Sequence, residues 1–458
     1  MRIVLLGGGS GKRLWPLSNE IRSKIFLKLL PSKDGGMESM IQRICRQLGE
    51  AGFLSHTSIV AHQSQAEIMQ NHIGDEVLFL AEPHRRGTFT AVALAVTYLH
   101  AKLQAAPNET ICVIPADLFA ESDFFSLLSR FPEILKQSGS ELALLGTTPS
   151  HPSSQFGYIV PAPHQDPADK DYLEVAHFVE KPDEETALRL IGSQAMWNCG
   201  VFAFPLSFML TGLQSRGLPT DYDELLACYE QLPEASFDVE IVEKTQPVVV
   251  LPFRNMWKDL GDWSVLPNYF GSSVVGLGEI SSDCVHTHLV NELAYPIHVL
   301  GVSNIIVAAS ADGILVANKD KSNQIKKLRS SRQQPMYGEK RWGTYRVLDQ
   351  SKTGGGLLET LTKKVELLPG KHTSYHSHQK RQEIWTIISG QGEFILEGVS
   401  TAIQTGDVLQ IAAGAKHAIK AITPLEYIEI QIGTELVEAD IMRLVVTWEE
   451  IIRYCSNG

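Results

Sequence analysis

From the N-terminus to about residue 265, short apolar runs alternate with longer segments in which apolar residues recur at helical spacing. Such short runs predict buried strands, and the longer periodic segments predict helices. The predicted strands include Ile3–Leu6, Ser58–Ala61, Thr110–Ile114 and Ala143–Gly146. The predicted helices between them include Thr90–Leu103 and Phe124–Gln137. The alternation predicts an α/β domain over residues 1–268, with a Rossmann-like, mostly parallel sheet that presents ligands at the carboxyl ends of its strands.

The pattern changes after about residue 275. Residues 275–325 contain short predicted strands separated by turns, for example Asn304–Ala308 and Gly313–Ala317. Residues 326–339 are polar and predict a linker. Residues 340–458 have all-β character and end in a predicted helix around Glu438–Tyr454. A chain of 458 residues is too long for one ordinary core, so several domains are expected.

Composition narrows the class of protein. The formal net charge is −12 at pH 7, which disfavours a nucleic-acid-binding surface. No apolar stretch approaches about 18 residues, so no membrane span is predicted. The six cysteines contain no C-x-x-C pair, which is typical of reduced thiols rather than of disulfides or a zinc knuckle. We therefore expect a cytoplasmic protein without nucleic-acid or membrane partners.

The segment after the first predicted strand reads Gly7-Gly8-Gly9-Ser10-Gly11-Lys12-Arg13. Glycines let backbone N–H groups approach a polyphosphate, and the two basic side chains add positive charge. The segment is not a P-loop, because Arg13 stands where that motif needs Ser or Thr, and not a dinucleotide fingerprint, which would need glycine at Lys12. Six basic residues against one acid lie between Lys12 and Lys33. The sequence therefore predicts a site for a small anionic ligand.

The glycine segment continues into Trp15-Pro16-Leu17-Ser18, and Lys24-Ile25-Phe26-Leu27 follows shortly after. Together these resemble the signature of the sugar-1-phosphate nucleotidyltransferases, most closely of the guanylyltransferases for mannose 1-phosphate that are fused to a type II phosphomannose isomerase domain. The resemblance implies an α/β nucleotidyltransferase domain, a short left-handed β-helix segment and a C-terminal cupin barrel. It also implies that GTP and mannose 1-phosphate react to GDP-mannose and pyrophosphate. We expect a homodimer.

The resemblance also assigns the transferase site. Asp117 ends the run Val113-Ile114-Pro115-Ala116-Asp117, and Asp259 lies in Trp257–Trp263, which is similar to the family's W-x-D-V-G-S-W. Paired carboxylates suit Mg²⁺ that also binds substrate phosphate oxygens. The catalytic residues that the resemblance implies are Arg13, Lys24, Asp117 and Asp259. The implied nucleotide-binding residues are Gly8, Gly9, Gly11, Lys12, Arg13, Glu82 and Arg86, although Gly87 replaces the asparagine of the family's E-P-x-x-R-N-T.

Three further segments resemble the sugar-binding motifs of the family. They read Gln155-Phe156-Gly157-Tyr158-Ile159, Phe178-Val179-Glu180-Lys181-Pro182 and Trp197-Asn198-Cys199-Gly200-Val201-Phe202. Carboxylate and amide groups suit sugar hydroxyls, and a lysine suits a sugar phosphate. The implied sugar-phosphate-binding residues are Gly157, Glu180, Lys181 and Asn198.

A second candidate site lies near the C-terminus. Two histidines at alternate positions of a strand, His376 and His378, point to the same side, and Glu383 and His417 follow at cupin-motif spacing. Three imidazoles and one carboxylate predict a divalent transition metal such as Zn, Mn, Co or Ni. The resemblance here is to type II phosphomannose isomerase. The loop before Glu383 is two residues longer than in that family, so isomerase activity is a separate expectation from metal binding.

Two other functions stay open at this point. One is a nucleotidyltransferase for another base or another hexose 1-phosphate. The other is a non-catalytic sugar-nucleotide sensor with a metal-binding cupin, against which the retention of Arg13, Lys24, Asp117 and Asp259 argues.

Overall fold

The computed structural model describes residues 1–9, 12–163, 171–328, 335–353, 358–437 and 440–456. The chain divides into two units. The first comprises Met1–Leu14, Ser23–Val275 and Asn318–Lys326, and the second comprises Trp15–Arg22, Gly276–Ala317 and Lys327–Gly458. The Trp-Pro-Leu-Ser extension of the glycine segment therefore packs within the second unit. Gly11 lies outside the described residues.

The elements of the first unit alternate between strands and helices for most of its length. In chain order they are β1 Arg2–Leu6, β2 Leu30–Pro31, β3 Met37–Glu38, α1 Met40–Glu50, β4 Thr57–His62, α2 Ala66–Ile73, β5 Leu78–Glu82, α3 Thr88–Ala101, β6 Thr110–Pro115, β7 Leu118–Ala120, α4 Ser122–Leu127, α5 Phe131–Ser138, β8 Leu142–Thr147, β9 Tyr158–Pro161, β10 Leu173–Val179, α6 Glu184–Gly192, β11 Met196–Pro205, α7 Leu206–Gln214, α8 Tyr222–Ala227, α9 Phe237–Glu240, β12 Val248–Phe253 and β13 Trp257–Asp259.

A nine-stranded sheet forms the centre of this unit, in the order β5-β4-β1-β6-β11-β8-β12-β10-β9. Strand β1 runs parallel to β4 and β6, and β4 runs parallel to β5, as the alternating pattern predicts. Strand β11, however, is antiparallel to both β6 and β8, and β10 is antiparallel to β9 and β12. Strands β8 and β12 are parallel to each other, and they and β9 run in the same direction as β1. The nine-stranded sheet is therefore mostly parallel in strand direction, as expected, with β10 and β11 inserted in the opposite direction. Apolar runs predict that strands exist, but they do not record the direction in which a strand is inserted.

Helix α3 is buried from Phe89 to Thr97, because it is apolar on nearly all sides there. The predicted helix Phe124–Gln137 is divided in the structure into α4, a 3₁₀ turn at Leu128–Arg130 and α5. Pro132 lies in the first turn of α5, where a missing N–H removes no intrahelical hydrogen bond.

The second half of the chain is mostly β. Its elements are β14 Val274–Gly276, β15 Gly278–Ile280, β16 His288–Asn291, β17 Ile297–Val299, β18 Ile305–Ser310, β19 Gly313–Asn318, α10 Ile325–Leu328, β20 Tyr337–Lys340, β21 Gly343–Thr353, β22 Leu358–Leu367, β23 Tyr375–His378, β24 Arg381–Ser389, β25 Gln391–Leu396, β26 Val399–Gln404, β27 Val408–Ile411, β28 His417–Ala421, β29 Leu425–Gly433, β30 Ile441–Val445 and α11 Trp448–Ser456.

Two sheets build the C-terminal part of the second unit, in the orders β20-β21-β22-β29-β24-β27 and β26-β25-β28-β23-β30. Their apolar side chains, among them Val365, Trp385 and Tyr427, form a buried core. Of the predicted helix around Glu438–Tyr454, residues 438 and 439 lie outside the described residues. The prediction is wrong for Ile441–Val445, which pairs as a strand with β23, and α11 begins at Trp448. The partner strand supplies backbone hydrogen bonds that periodicity does not reveal. Across the described ranges, no helix is long and apolar enough to cross a membrane.

Candidate active site and metal centre

Lys24, Asp117 and Asp259 meet in the first unit. Strand β13 pairs antiparallel with β7 so that Asp259 lies opposite Leu118, which brings its carboxylate beside that of Asp117 at the end of β6. The Lys24 ammonium group forms an ion pair with Asp117, and its Nζ lies 3.5 Å from Asp259 Oδ1. The lysine is largely buried, whereas the two carboxylates are about one-third exposed. The pair therefore remains accessible to a cation and to substrate oxygens.

The electrostatics of this cluster follow from burial and from the close charges. Burial alone would lower the pKa of Lys24, but Asp117 and Asp259 outweigh it and raise that pKa. Burial raises the pKa of Asp259, Lys24 opposes the shift, and the neighbouring Asp117 adds to it. Lys24 therefore stays charged, and the two carboxylates repel each other in a way that a divalent cation would relieve.

Arg13 approaches the same cluster. A Cβ placed on Gly261 would lie 2.8 Å from Asp259 Oδ1 and 3.3 Å from Arg13 Nη1, so glycine leaves the space in which these two groups come near each other. Arg13 Nη1 also donates to Gln155 Oε1 at 3.4 Å. The structure therefore brings all four predicted catalytic residues together. The side chain of Lys12 lies outside the described part of the chain.

The predicted nucleotide-binding residues lie at the carboxyl ends of β1 and β5. A Cβ on Gly8 would lie 3.1 Å from Glu82 Oε2, and Gly9 stands in open space. Glu82 is buried and accepts a hydrogen bond from Tyr229 Oη at 2.7 Å, and burial raises its pKa. Glu82 thus borders the glycine turn.

Arg86 and Gly87 follow β5. Arg86 donates to the backbone carbonyl of Glu230, so its guanidinium is held on the segment after α8. Gly87 has φ of 85°, and a Cβ there would overlap the carbonyl oxygen of Ala235. The backbone in this conformation has no room for a side chain such as the asparagine of the family motif.

The sugar-motif residues form a second cluster. A Cβ on Gly157 would lie 2.7 Å from Glu180 Oε2, so glycine allows the carboxylate to approach the backbone. The Asn198 backbone N–H donates to the Gly157 carbonyl at 2.8 Å. Lys181 has φ of 43° and forms an ion pair with Glu180. A register shift in β11 after Asn198 marks a bulge, a feature that re-aims side chains at binding sites.

Asp238 belongs to the same cluster and was not singled out by sequence analysis. Asn198 Nδ2 donates to Asp238 Oδ1 at 2.8 Å. Burial, followed by the negative charge of Glu180, raises the pKa of Asp238 to about 6. Asp238 follows Ser236, which caps the short helix α9, and an acid in a first helical turn is too common to signal a site.

The candidate metal centre lies on β23 and β28 of the second unit. His376 is opposite His417 in the register, and His378 follows two residues along β23. One ring nitrogen from each of the three histidines lies within 4.8 Å of the others. All three are buried. Burial lowers the pKa of His376 to about 3 and that of His378 to about 4, which keeps both rings neutral.

The outer nitrogens of these rings fix the tautomer. His376 Nδ1 lies 2.7 Å from the Ser374 carbonyl, His417 Nδ1 lies 3.0 Å from the Ala415 carbonyl, and His378 Nδ1 lies 3.3 Å from the Asp440 carbonyl. Because a carbonyl only accepts, each Nδ1 carries the proton and each Nε2 presents a lone pair. His417 Nε2 is buried and has no hydrogen-bond partner among the described residues. This donor set fits a divalent transition metal.

Glu383 lies beside the triad. Its Oε1 is 3.5 Å from His378 Nε2, and its Oε2 is 3.6 Å from His417 Nε2. Arg381 Nε donates to Glu383 Oε1 at 2.8 Å, and Arg381 Nη2 donates to His378 Nε2 at 3.0 Å. Burial would raise the pKa of Glu383, but His417, Arg381 and His378 lower it overall. The carboxylate is therefore ionised and close enough to join the three imidazoles.

These features define a two-part protein: an α/β unit with a glycine turn and a Lys–Asp–Asp cluster, and a β unit with a histidine triad. Residues 2–270 match the nucleotidyl transferase family, and residues 328–445 match the C-terminal domain of mannose-6-phosphate isomerase. The chain therefore belongs to the nucleotidyl transferase family and carries a mannose-6-phosphate isomerase C-terminal domain.

Relatives match along nearly the whole chain. The mannose-1-phosphate guanylyltransferase RfbM of Salmonella typhimurium is 29% identical and aligned over 96% of both chains. The alginate biosynthesis protein AlgA of Pseudomonas aeruginosa is 29% identical over 96% of this chain and 95% of its own. A solved structure from Thermus thermophilus, described as a mannose-1-phosphate geranyltransferase, has a TM-score of 0.60 at 29% identity, over 71% of this chain and 97% of that one.

The raised pKa of Asp238 predicts a pH-dependent stability. Above about pH 6 the folded chain bears the cost of a buried charge, and below the ordinary pKa of 3.8 that cost disappears. Asp238→Asn removes the charge. The melting temperature of the variant minus that of the wild type should therefore be larger at pH 8 than at pH 5. Thermal unfolding at both pH values measures this, with exposed Asp34→Asn as the control. The same difference in melting temperature at both pH values would contradict the raised pKa of Asp238.

Proposed function

We propose that this chain transfers a guanylyl group from GTP to mannose 1-phosphate, giving GDP-mannose and pyrophosphate. The observation that carries the proposal is the cluster of Lys24, Asp117 and Asp259 beside Arg13 at the carboxyl ends of the central strands. The choice of GTP and mannose 1-phosphate is supported by the names of the full-length relatives. Intact catalytic groups favour an enzyme over a non-catalytic sensor.

The chemistry is an in-line attack of a sugar phosphate oxygen on the α-phosphorus of GTP. The new P–O bond forms as the bond to pyrophosphate breaks. The nucleophile needs no strong base, because the second pKa of a phosphate monoester is about 6. Catalysis is then positioning together with stabilisation of charge on the phosphates, to which Arg13 and Lys24 contribute. Asp117 and Asp259 would hold Mg²⁺, which when bound neutralises charge on the triphosphate oxygens.

The remaining residues divide between the two substrates. Gly8, Gly9, Gly11 and Lys12 would bind the triphosphate, with Glu82 and Arg86 on the nucleoside side. Glu180 and Asn198 would accept and donate hydrogen bonds to sugar hydroxyls, and Lys181 would bind the sugar phosphate. The contacts among Gly157, Glu180 and Asn198 support a single sugar subsite.

The histidine triad with Glu383 supports a second function, interconversion of fructose 6-phosphate and mannose 6-phosphate. The metal would be Zn, Mn, Co or Ni, held by His376, His378, Glu383 and His417. When bound, a divalent metal acts as a Lewis acid toward enediolate oxygens. Arg381, which donates to Glu383 and contacts His378, would hold these two side chains in place.

We also propose the domain division 1–268, 275–325, 326–339 and 340–458. Parallel pairing of β15 with β17 and of β16 with β18 supports a left-handed β-helical segment over residues 275–325. Exposed apolar side chains on that segment, among them Tyr295, Leu300 and Val316, support a homodimer.

Asp117→Asn and Asp259→Asn should each lower the turnover number by about 10²–10³-fold, because each removes a carboxylate that would hold the Mg²⁺ acting on the reacting phosphates. Pyrophosphate release from GTP and mannose 1-phosphate at saturating Mg²⁺ measures the effect. Asp34→Asn, an exposed carboxylate of the first unit, is the matched control. Near-normal turnover in both active-site variants would refute the role of the pair.

Lys181→Ala should raise the Michaelis constant for mannose 1-phosphate far more than that for GTP, because the lysine lies with Glu180 in the sugar cluster. Steady-state kinetics with each substrate varied in turn separate the two constants. Exposed Lys136→Ala should change neither. An equal or larger effect on GTP would place Lys181 on the nucleotide side.

The paired substitution His376→Ala/His378→Ala should remove the metal from the second unit, because two of the three imidazole donors are lost. Elemental analysis of protein purified without chelator measures the content, and exposed His100→Ala is the control. Equal metal content in the paired variant would refute the site.

A coupled assay from fructose 6-phosphate tests the isomerase function, and bound metal without turnover would refute that function alone.

A further inference from the structure

A cavity of about 370 Å³ lies within the second unit, apart from the histidine triad. Residues of β20, β21 and β22 form one wall, and residues near β16 and in the 15–22 segment form the other. Its charged and polar lining side chains include Arg22, Glu292, Thr344, Arg346, Lys364 and Glu366. The volume falls in the lower part of the range typical of small-ligand sites.

The register of the sheet explains why these groups share a face. Arg346 of β21 lies opposite Tyr337 of β20 on one side and opposite Lys364 of β22 on the other. Thr344 and Glu366 form the next row, two residues along each strand. Since side chains alternate between the faces of a sheet, both rows project to the face opposite the apolar core residues Val347 and Val365.

Two of the three cations at the cavity are already neutralised. Arg22 forms a bidentate pair with Glu292, with N···O distances of 2.8 and 3.0 Å. Lys364 Nζ lies 3.3 Å from Glu366 and 3.2 Å from Glu426. Arg346 has neither an ion-pair partner nor a side-chain hydrogen bond among the residues that the structure describes. Its guanidinium is therefore the uncompensated charge of this cavity.

Arg346 also stands directly opposite another cation. Because Lys364 is already paired with Glu366 and Glu426, Arg346 is the cation that is left to bind an anion, with Lys364 facing it on the next strand. A doubly charged anion would match the bidentate geometry of this guanidinium. A phosphate monoester is such an anion, since it carries between about −1.5 and −2 charges near pH 7.

The rest of the lining indicates what the phosphate is attached to. Glu292 and Glu366 keep free lone pairs for hydroxyl donors, and Thr344 adds a hydroxyl. Ala311, Tyr337 and Tyr345 complete the lining and offer apolar surface to the carbon skeleton of the ligand. We propose that this cavity is a second binding site for a hexose phosphate, with the phosphate on Arg346 and Lys364 and the sugar hydroxyls on the carboxylates.

Isothermal titration calorimetry of the full chain with mannose 6-phosphate tests the site. Arg346→Gln should weaken binding at one site per chain by about 10-fold or more, as expected for loss of a hydrogen bond to a charged group. The paired His376→Ala/His378→Ala variant should keep that binding, which separates the cavity from the metal centre. Exposed Lys371→Ala is the control. Inorganic phosphate should bind more weakly, and uncharged mannose should give no heat at the same concentrations.

Lys364→Gln is the second variant, and ligand-free melting temperatures show whether each variant is folded. Identical isotherms for the wild type, Arg346→Gln and Lys364→Gln would overturn the proposal. Binding lost only in the histidine variant would overturn it too, because the ligand would then sit at the triad. Inorganic phosphate binding as tightly as mannose 6-phosphate would overturn the assignment to a hexose phosphate. None of these outcomes depends on transferase activity.

Discussion

The ion pairs of Lys24 with Asp117 and Asp259 are the constraint around which the transferase site is arranged. A buried ammonium between two carboxylates stays charged. Asp259 ends β13 and Asp117 directly precedes β7, and these two short strands pair with each other. The glycines nearby serve the same purpose. Gly261 leaves room between Asp259 and Arg13, and Gly8 leaves room beside Glu82. Glycine at these two positions thus leaves space around charged side chains of the proposed transferase site.

In the candidate metal centre of the second unit, backbone carbonyls rather than ion pairs orient the key side chains. Three backbone carbonyls accept from the outer ring nitrogens and leave the inner lone pairs converging, so the fold selects the tautomer before any metal binds. Strand β30 helps to hold these histidines in place, because it pairs with β23, which carries His376 and His378. The last predicted helix therefore begins late, after a strand that supports the metal-binding strand.

Residues in distinctive motifs can be predicted from the sequence, whereas contacts between residues that are distant in the sequence cannot. Apolar runs predict the strands β1, β4, β6 and β8, and motif spacing predicts the three histidines. The four residues proposed as catalytic follow from the resemblance to the nucleotidyltransferases. Asp238 is not predicted in this way, because its partner Asn198 lies 40 residues away in the sequence and meets it only in the folded chain. The antiparallel insertion of β11 and the charged cavity at Arg346 likewise depend on register between strands, which one sequence does not record.

The central claim is that the Lys–Asp–Asp cluster serves guanylyl transfer to mannose 1-phosphate. Pyrophosphate release by the purified chain with Mg²⁺ tests it directly, with GTP, ATP, UTP and dTTP each offered with mannose 1-phosphate and with glucose 1-phosphate. We expect GTP with mannose 1-phosphate to have the highest kcat/KM of all these combinations. A higher value for another combination would contradict the proposed substrates, and no pyrophosphate from any combination would contradict the transferase function itself.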